Sequence, residues 1–175
     1  TQLIESYVSL RANTFTDALA ISGLRAARDG LLPWFEGKGD QAAARSRMAY
    51  AALISGITLA QVGLGSVHGL AAPMGAYFPI PHGVVCGTLV ASATRMNIAA
   101  LHDREPDNPA LVKYLRLAEV LCERRIREPA AAYQALIALL EEWTTRLRLP
   151  RLGHYQVATS DYPRIVANSR GSSMK

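Results

Sequence analysis

The chain has 175 residues, 50% of them hydrophobic, enough for one ordinary domain whose core needs no disulfide or metal staple. Its formal charge of +5 comes from 19 Lys and Arg against 14 Asp and Glu. Glutamates lie among or beside the arginines of the 123–128 and 141–151 segments, which suits a solvated face better than a nucleic-acid footprint. No signal-peptide pattern opens the chain and no apolar run is long and turn-free enough to span a bilayer. A soluble cytoplasmic protein is therefore expected, with Cys86 and Cys122 as reduced, buried apolar side chains.

Apolar spacing predicts helices along the whole chain and no sheet. Leu3, Ile4, Tyr7 and Val8 share one face of a first helix, with Gln2 and Glu5 on other faces. Thr14 to Asp17 resembles a capping box, and the helix it opens runs towards Pro33, with Trp34 and Phe35 closing it before the Gly37–Asp40 turn. Asp40 caps a long third helix through Ala60, whose expected core face is Met48, Ala52, Leu53, Ile57 and Ala60. Val84 to Ile98 reads as a buried helix, with strand as the alternative. A polar loop follows from Asp103 to Pro109. Leu111, Tyr114, Leu115, Ala118 and Leu121 form one further stripe, and Tyr133, Leu136, Leu140, Trp143 and Leu147 another. Leu149 to Val157 reads as irregular, and Ser160 or Asp161 caps a last short helix bearing Ile165 and Val166. The fold class is all-α, one domain over residues 1–175.

One stretch does not fit packing alone. Gln61 to Gly83 holds five glycines, three prolines and two histidines in an apolar background. Gly63 and Gly65 permit positive φ or close backbone approach, and Ser66 then caps a short helix carrying His68. Pro79 and Pro81 hold Phe78 to Pro81 extended, which puts His82 at the start of the next helix. Each chain break thus delivers one histidine. Two such imidazoles could bind a divalent metal, relay protons or contact a polar ligand; the bland alternative is a pair of packed histidines bonded to backbone. Cys86 follows His82 by one turn with no activating cation evident beside it, so it is assigned to structure.

The run Gly63-Leu-Gly-Ser-Val-His68-Gly-Leu-Ala-Ala-Pro-Met-Gly75, with Phe78-Pro-Ile-Pro-His82-Gly83, resembles the signature of the iron-containing (group III) alcohol dehydrogenase family. Ile4 to Ser9, Ala12-Asn13 with Thr16-Asp17, and Arg170 to Lys175 match it as well. The resemblance implies a multi-helix C-terminal domain of the dehydroquinate synthase-like type. An N-terminal α/β domain would bind NAD(P), with the active site in the cleft between the two domains. Both ends read as mid-element, so the chain is read as a fragment of that longer protein. Apolar surface left for the absent domain is expected to favour self-association, and a homo-oligomer is expected.

In that family an aspartate and three histidines hold Fe2+ or Zn2+. The resemblance places the metal ligands here at His68, His82 and Gln2, with the aspartate falling before Thr1. A neutral amide is a poor substitute for imidazole at a transition metal, so weaker metal binding than is usual in the family, or none, is expected. Ala72 stands where many members carry another histidine, and Pro79 where an acidic residue is common. The implied function is NAD(P)-dependent interconversion of a small alcohol and its aldehyde or ketone. His68 and His82 would act at the substrate oxygen, with Met74 and Phe78 as candidates for an apolar substrate wall and core packing as the alternative for both. Two other classes remain: a non-catalytic helical interaction domain with structural histidines, and a metal-dependent hydrolase or lyase. The second is weakened because no Asp or Glu stands near either histidine in sequence to act as base.

Overall fold

The computed structural model describes residues 1–169, and the Arg170 to Lys175 motif lies outside them. The described residues contain eight α-helices and no strand: α1 (Gln2–Val8), α2 (Thr14–Glu36), α3 (Gln41–Val62), α4 (Ser66–Tyr77), α5 (His82–Arg104), α6 (Pro109–Cys122), α7 (Pro129–Arg146) and α8 (Tyr162–Asn168). Leu152–Tyr155 and Thr159–Asp161 form single 3-10 turns in the connection before α8. The strand alternative for the segment after His82 is thereby removed.

Local chemistry sets the boundaries. The start of α2 is one residue earlier than the Thr14 box: Asn13 is the cap, its side chain accepting from the Phe15 and Thr16 amides while Thr16 closes the box. The same helix continues through Pro33 to Glu36 and stops at Gly37, whose φ of 67° lets the amides of Gly37 and Lys38 turn back onto the Trp34 and Pro33 carbonyls. Asp40 caps α3 as expected, accepting from the Ala42 and Ala43 amides. Asp161, by contrast, accepts from Ala158 and pairs with Arg164, and makes no side-chain cap on α8.

Two hydrophobic clusters result. The larger joins Leu3, Ile4 and Tyr7 of α1 to the inner faces of α2, α3, α5, α6 and α7, with Leu117 and Leu136 fully buried at its centre. The smaller gathers Val67, Ala71 and Met74 of α4, Ile80, Val85 and Cys86, and Val157 and Ile165 from the C-terminal segment. Helix α5 serves both, contributing Val85 and Cys86 to one and Val90, Ala91 and Ile98 to the other.

Two expectations about faces are corrected, and one about hydropathy. The buried side of α3 is Ala44, Ala51, Ile54, Thr58 and Val62, whereas Leu53 and Ile57 are exposed. This helix carries apolar residues all round, so spacing alone could not choose between its sides. Val166 is exposed and only Ile165 anchors α8. Helix α5 is also long and apolar enough to cross a membrane by length and composition, contrary to the expectation that no run qualifies. In this fold it packs among the other helices, and its Arg95 pairs with Glu141 of α7 at 2.5 Å.

Several arginines pair with acidic side chains. Arg146 bonds Glu36 and Glu142, Arg28 pairs with Asp29 and Glu123, and Arg116 with Glu119. These contacts are largely solvent-facing and contribute little each.

Burial predicts stability effects at opposite extremes on one helix. Leu117→Ala, at the centre of the larger cluster, is expected to destabilise the protein by about 2–5 kcal/mol through lost contacts and a cavity. Val112→Ala, at an exposed position of α6, should shift stability by less than about 0.5 kcal/mol. Urea unfolding midpoints of the two variants check the contrast.

Candidate functional site

Helix α3 ends where Gly63 takes a φ of 72°, and α4 leaves at 100° to α3 after Gly65. The two glycines do different jobs. Gly63 adopts the left-handed backbone that the turn needs. Gly65 admits a neighbour: a Cβ there would lie 2.9 Å from Oε1 of Glu5. The carboxylate of Glu5 fills the space a side chain would take and reaches the first turn of α4.

Glu5 is only 4% exposed, so an unpartnered charge there would be costly. It is well partnered. The Val67 amide donates to Oε1 at 2.7 Å, the His68 amide to Oε2 at 3.3 Å, and the Nδ1 of His68 lies 2.6 Å from Oε2. The position also sets a negative charge at a helix N-terminus, where the macrodipole favours it. Glu5 thus does the capping expected of Ser66, which is itself the first residue of α4 and makes no cap; the cap residue is Gly65. The placement of Glu5 corrects two expectations. It faces inward from α1, and it supplies an acidic group directly behind one of the histidines.

His82 arrives as anticipated. Phe78 and Pro81 are extended, with ψ of 148° and 131°, and His82 is the first residue of α5. Its ring centroid is 5.3 Å from that of His68. His82 is exposed, while the His68 side chain is 8% exposed. One turn along α5, buried Cys86 places Sγ 3.6 Å from Nε2 of His68 and 3.5 Å from Nε2 of His82. The assignment of Cys86 to structure, made because no activating cation was evident beside it, is therefore corrected: His68, whose pKa is raised to about 9, stands against its sulfur.

Burial works against charge on His68, but hydrogen bonds with Cys86 and Glu5, and the attraction of those groups, outweigh it and raise its pKa from 6.5 to about 9. For Glu5, burial likewise opposes the charge, and the bonds from His68 and Val67 overcome it to hold the pKa below the usual carboxylate value. When His68 is neutral, the Glu5 carboxylate keeps its remaining proton on Nδ1. The Nε2 lone pair is then left facing His82 and Cys86.

His68, His82 and Cys86 line one end of a cavity of about 450 Å³. Thr1 and Gln2 line it too, and its walls are mostly apolar: Leu24 and Leu31 of α2, Met48 and Ala52 of α3, Val90 of α5, and Leu140 and Trp143 of α7. Gln2 lines the same cavity as the histidines, and its Oε1 accepts from the Ser55 hydroxyl at 2.9 Å. Met74 and Phe78 do not line this cavity. Met74 is buried in the smaller cluster, and Phe78 packs against that cluster under Arg164, whose guanidinium stands 5.3 Å from its ring. Ala72 is exposed on α4 and offers no proton. Two imidazoles, one of them backed by a carboxylate, suit a first-row divalent metal, so the donor chemistry fits the group implied by the sequence resemblance.

The His68 shift gives a pH-dependent prediction for chelator-treated, metal-free protein. A folded-state pKa raised from 6.5 to about 9 adds stability that is fully present below 6.5 and disappears as pH rises through 9. Glu5→Gln removes the charge that holds the imidazolium, so its destabilisation should be largest near about pH 6 and smallest above about pH 9. Urea titrations of both proteins across that range provide the check, and a pH-independent difference would contradict the assignment.

Residues 1–171 match the profile of the Fe-containing alcohol dehydrogenase family, C-terminal. The chain is 34% identical over 154 residues to 1-propanol dehydrogenase PduQ of Salmonella typhimurium, a match covering 87% of this chain and 39% of that protein. It is 30% identical over 161 residues to the bifunctional aldehyde-alcohol dehydrogenase AdhE of Escherichia coli, covering 86% and 18%. Among solved structures, a 1,3-propanediol oxidoreductase superposes with a TM-score of 0.87 at 27% identity, over 99% of this chain and 44% of that one. The chain thus spans less than half the length of these relatives. It belongs to the Fe-containing alcohol dehydrogenase family.

Proposed function

We propose that the full-length protein carrying this domain is an NAD(P)-dependent oxidoreductase that interconverts a short alcohol and its aldehyde or ketone. The observation that carries this reading is the His68–His82 pair facing a largely apolar cavity in a chain of this family. Relatives named for 1-propanol and 1,3-propanediol oxidation support the substrate size. NAD(P), held by an N-terminal domain outside this chain, supplies the hydride chemistry. The reading includes a cytoplasmic, homo-oligomeric enzyme.

His68 and His82 would hold the divalent metal, whose chemistry there is Lewis-acid polarisation of the substrate oxygen. Within this domain Leu24, Leu31, Met48, Val90 and Trp143 take the place of Met74 and Phe78 as the apolar wall. They exclude water from the carbon chain and orient the polar end towards the imidazoles. Glu5 fixes the His68 ring, so the order needed at the oxygen is built before substrate arrives. Ala72 has no proton to give, and the Nδ1 proton of His68 is held by Glu5. The proton required by an alkoxide product therefore comes from water or a cofactor hydroxyl while both histidines hold the metal. The interaction-domain reading is less favoured because the two rings meet at a cavity instead of spending their nitrogens on backbone.

Reduction of propanal by NADH or NADPH, followed at the nicotinamide absorbance with full-length protein, tests the reading. Wild type should turn over, and His68→Ala should lose at least about a hundredfold in kcat/KM. No turnover with any short aldehyde or ketone would overturn it.

A further inference from the structure

We propose that Cys86 is a protein ligand of the metal centre, and that the site is built for zinc in preference to iron. This rests on the reading of His68 and His82 as metal ligands and goes further, naming a third donor and the ion that it selects. The imidazole Nε2 atoms and Cys86 Sγ are the groups of a three-residue cluster whose ligand atoms lie within 4.8 Å of one another. The sulfur sits 3.6 Å and 3.5 Å from the two nitrogens. A tetrahedral zinc with Zn–S near 2.3 Å and Zn–N near 2.0–2.1 Å separates its sulfur and nitrogen donors by about 3.6 Å. The two sulfur–nitrogen edges of such a site are already in place.

The fold holds each donor on a rigid element. His82 and Cys86 are one turn apart on the same side of α5, and Cys86 is 5% exposed in the smaller cluster. His68 is held by the carboxylate of Glu5 at Nδ1, which leaves Nε2 for a metal and supplies the carboxylate–histidine backing that bound metals use. Gln2, the position aligned with a family ligand, has its amide oxygen engaged by Ser55. Cys86 places a thiol beside the two imidazoles, where Gln2 offers only a neutral amide. Bond formation between Sγ and the metal releases the thiol proton to solvent, since the thiolate is the ligand form. The resulting thiolate, softer than carboxylate or amide, moves the preference towards zinc. His68, His82 and Cys86 would be donors to the metal together with the aspartate that the resemblance places before Thr1.

A thiol that only hydrogen-bonds the two rings is the competing account. X-ray absorption of zinc-loaded full-length protein separates the two, together with the near-ultraviolet spectrum of its Co(II)-substituted form. Wild type and Cys122→Ser should show one sulfur scatterer at about 2.3 Å and a thiolate-to-cobalt charge-transfer band. Cys86→Ser should lose both, and its zinc affinity in chelator competition should fall by more than about tenfold. Should that variant fail to fold, the wild-type spectra alone decide. A wild-type metal shell of nitrogen and oxygen only, or failure of wild type to bind zinc, overturns the proposal. Such a shell with propanal reduction intact would remove Cys86 as a ligand and leave the oxidoreductase reading standing. A sulfur-ligated zinc without nicotinamide-linked turnover would support Cys86 and remove that reading.

Discussion

The contact on which the rest of the site depends is the buried pairing of Glu5 with the first turn of α4. A carboxylate held at 4% exposure persists there because it satisfies the Val67 and His68 amides and the His68 ring together. The same contact joins the first helix of the domain to the segment after the α3–α4 bend. It therefore performs a structural and an electrostatic task at once. It closes a helix N-terminus that no serine or aspartate of the local sequence caps, and it determines which nitrogen of His68 faces the cavity.

From that contact the architecture follows in both directions. Gly65 is small because the carboxylate approaches it, and Gly63 turns the backbone so that α4 meets α1. On the far side, α5 delivers His82 and Cys86 from its first two turns while its later turns anchor in the larger cluster. The site thus lies at the seam of the two hydrophobic clusters, where helices from both contribute side chains. Rigid elements on each side hold the imidazoles and the thiol without relying on a loop.

Much of this was legible in the sequence, for local reasons. The Asp40 cap, the extended Phe78–Pro81 segment and the arrival of His82 at a helix start each follow from side chains within four residues of the feature. The pairing of His68 with His82 could be anticipated from the two chain breaks, and the all-α class from the spacing of apolar stripes. Glu5 was not legible, because its partners lie more than sixty residues away and its place on α1 resembles that of an exposed residue. Cys86 offered a signal as well: its place one turn after His82 was visible, and only the absence of an evident cation assigned it to structure, although a thiol four residues after a helical histidine shares its face. For Met74 and Phe78 the structure shows the core packing that was the alternative to a substrate wall, since both pack with the smaller cluster.

The departure at Gln2 takes on a different meaning once the side chains are placed. Loss of an imidazole at that position pointed to weak metal binding, but the cavity end still holds two imidazoles, a thiol and a backing carboxylate. The measurement that tests the account most directly is a crystal structure of the full-length, metal-loaded protein with anomalous scattering recorded at the metal edge. The account predicts one peak bonded to the Nε2 atoms of His68 and His82, with the Glu5 carboxylate still on Nδ1 of His68. A peak away from both nitrogens, or Glu5 withdrawn from His68 to ligate the metal itself, would contradict it.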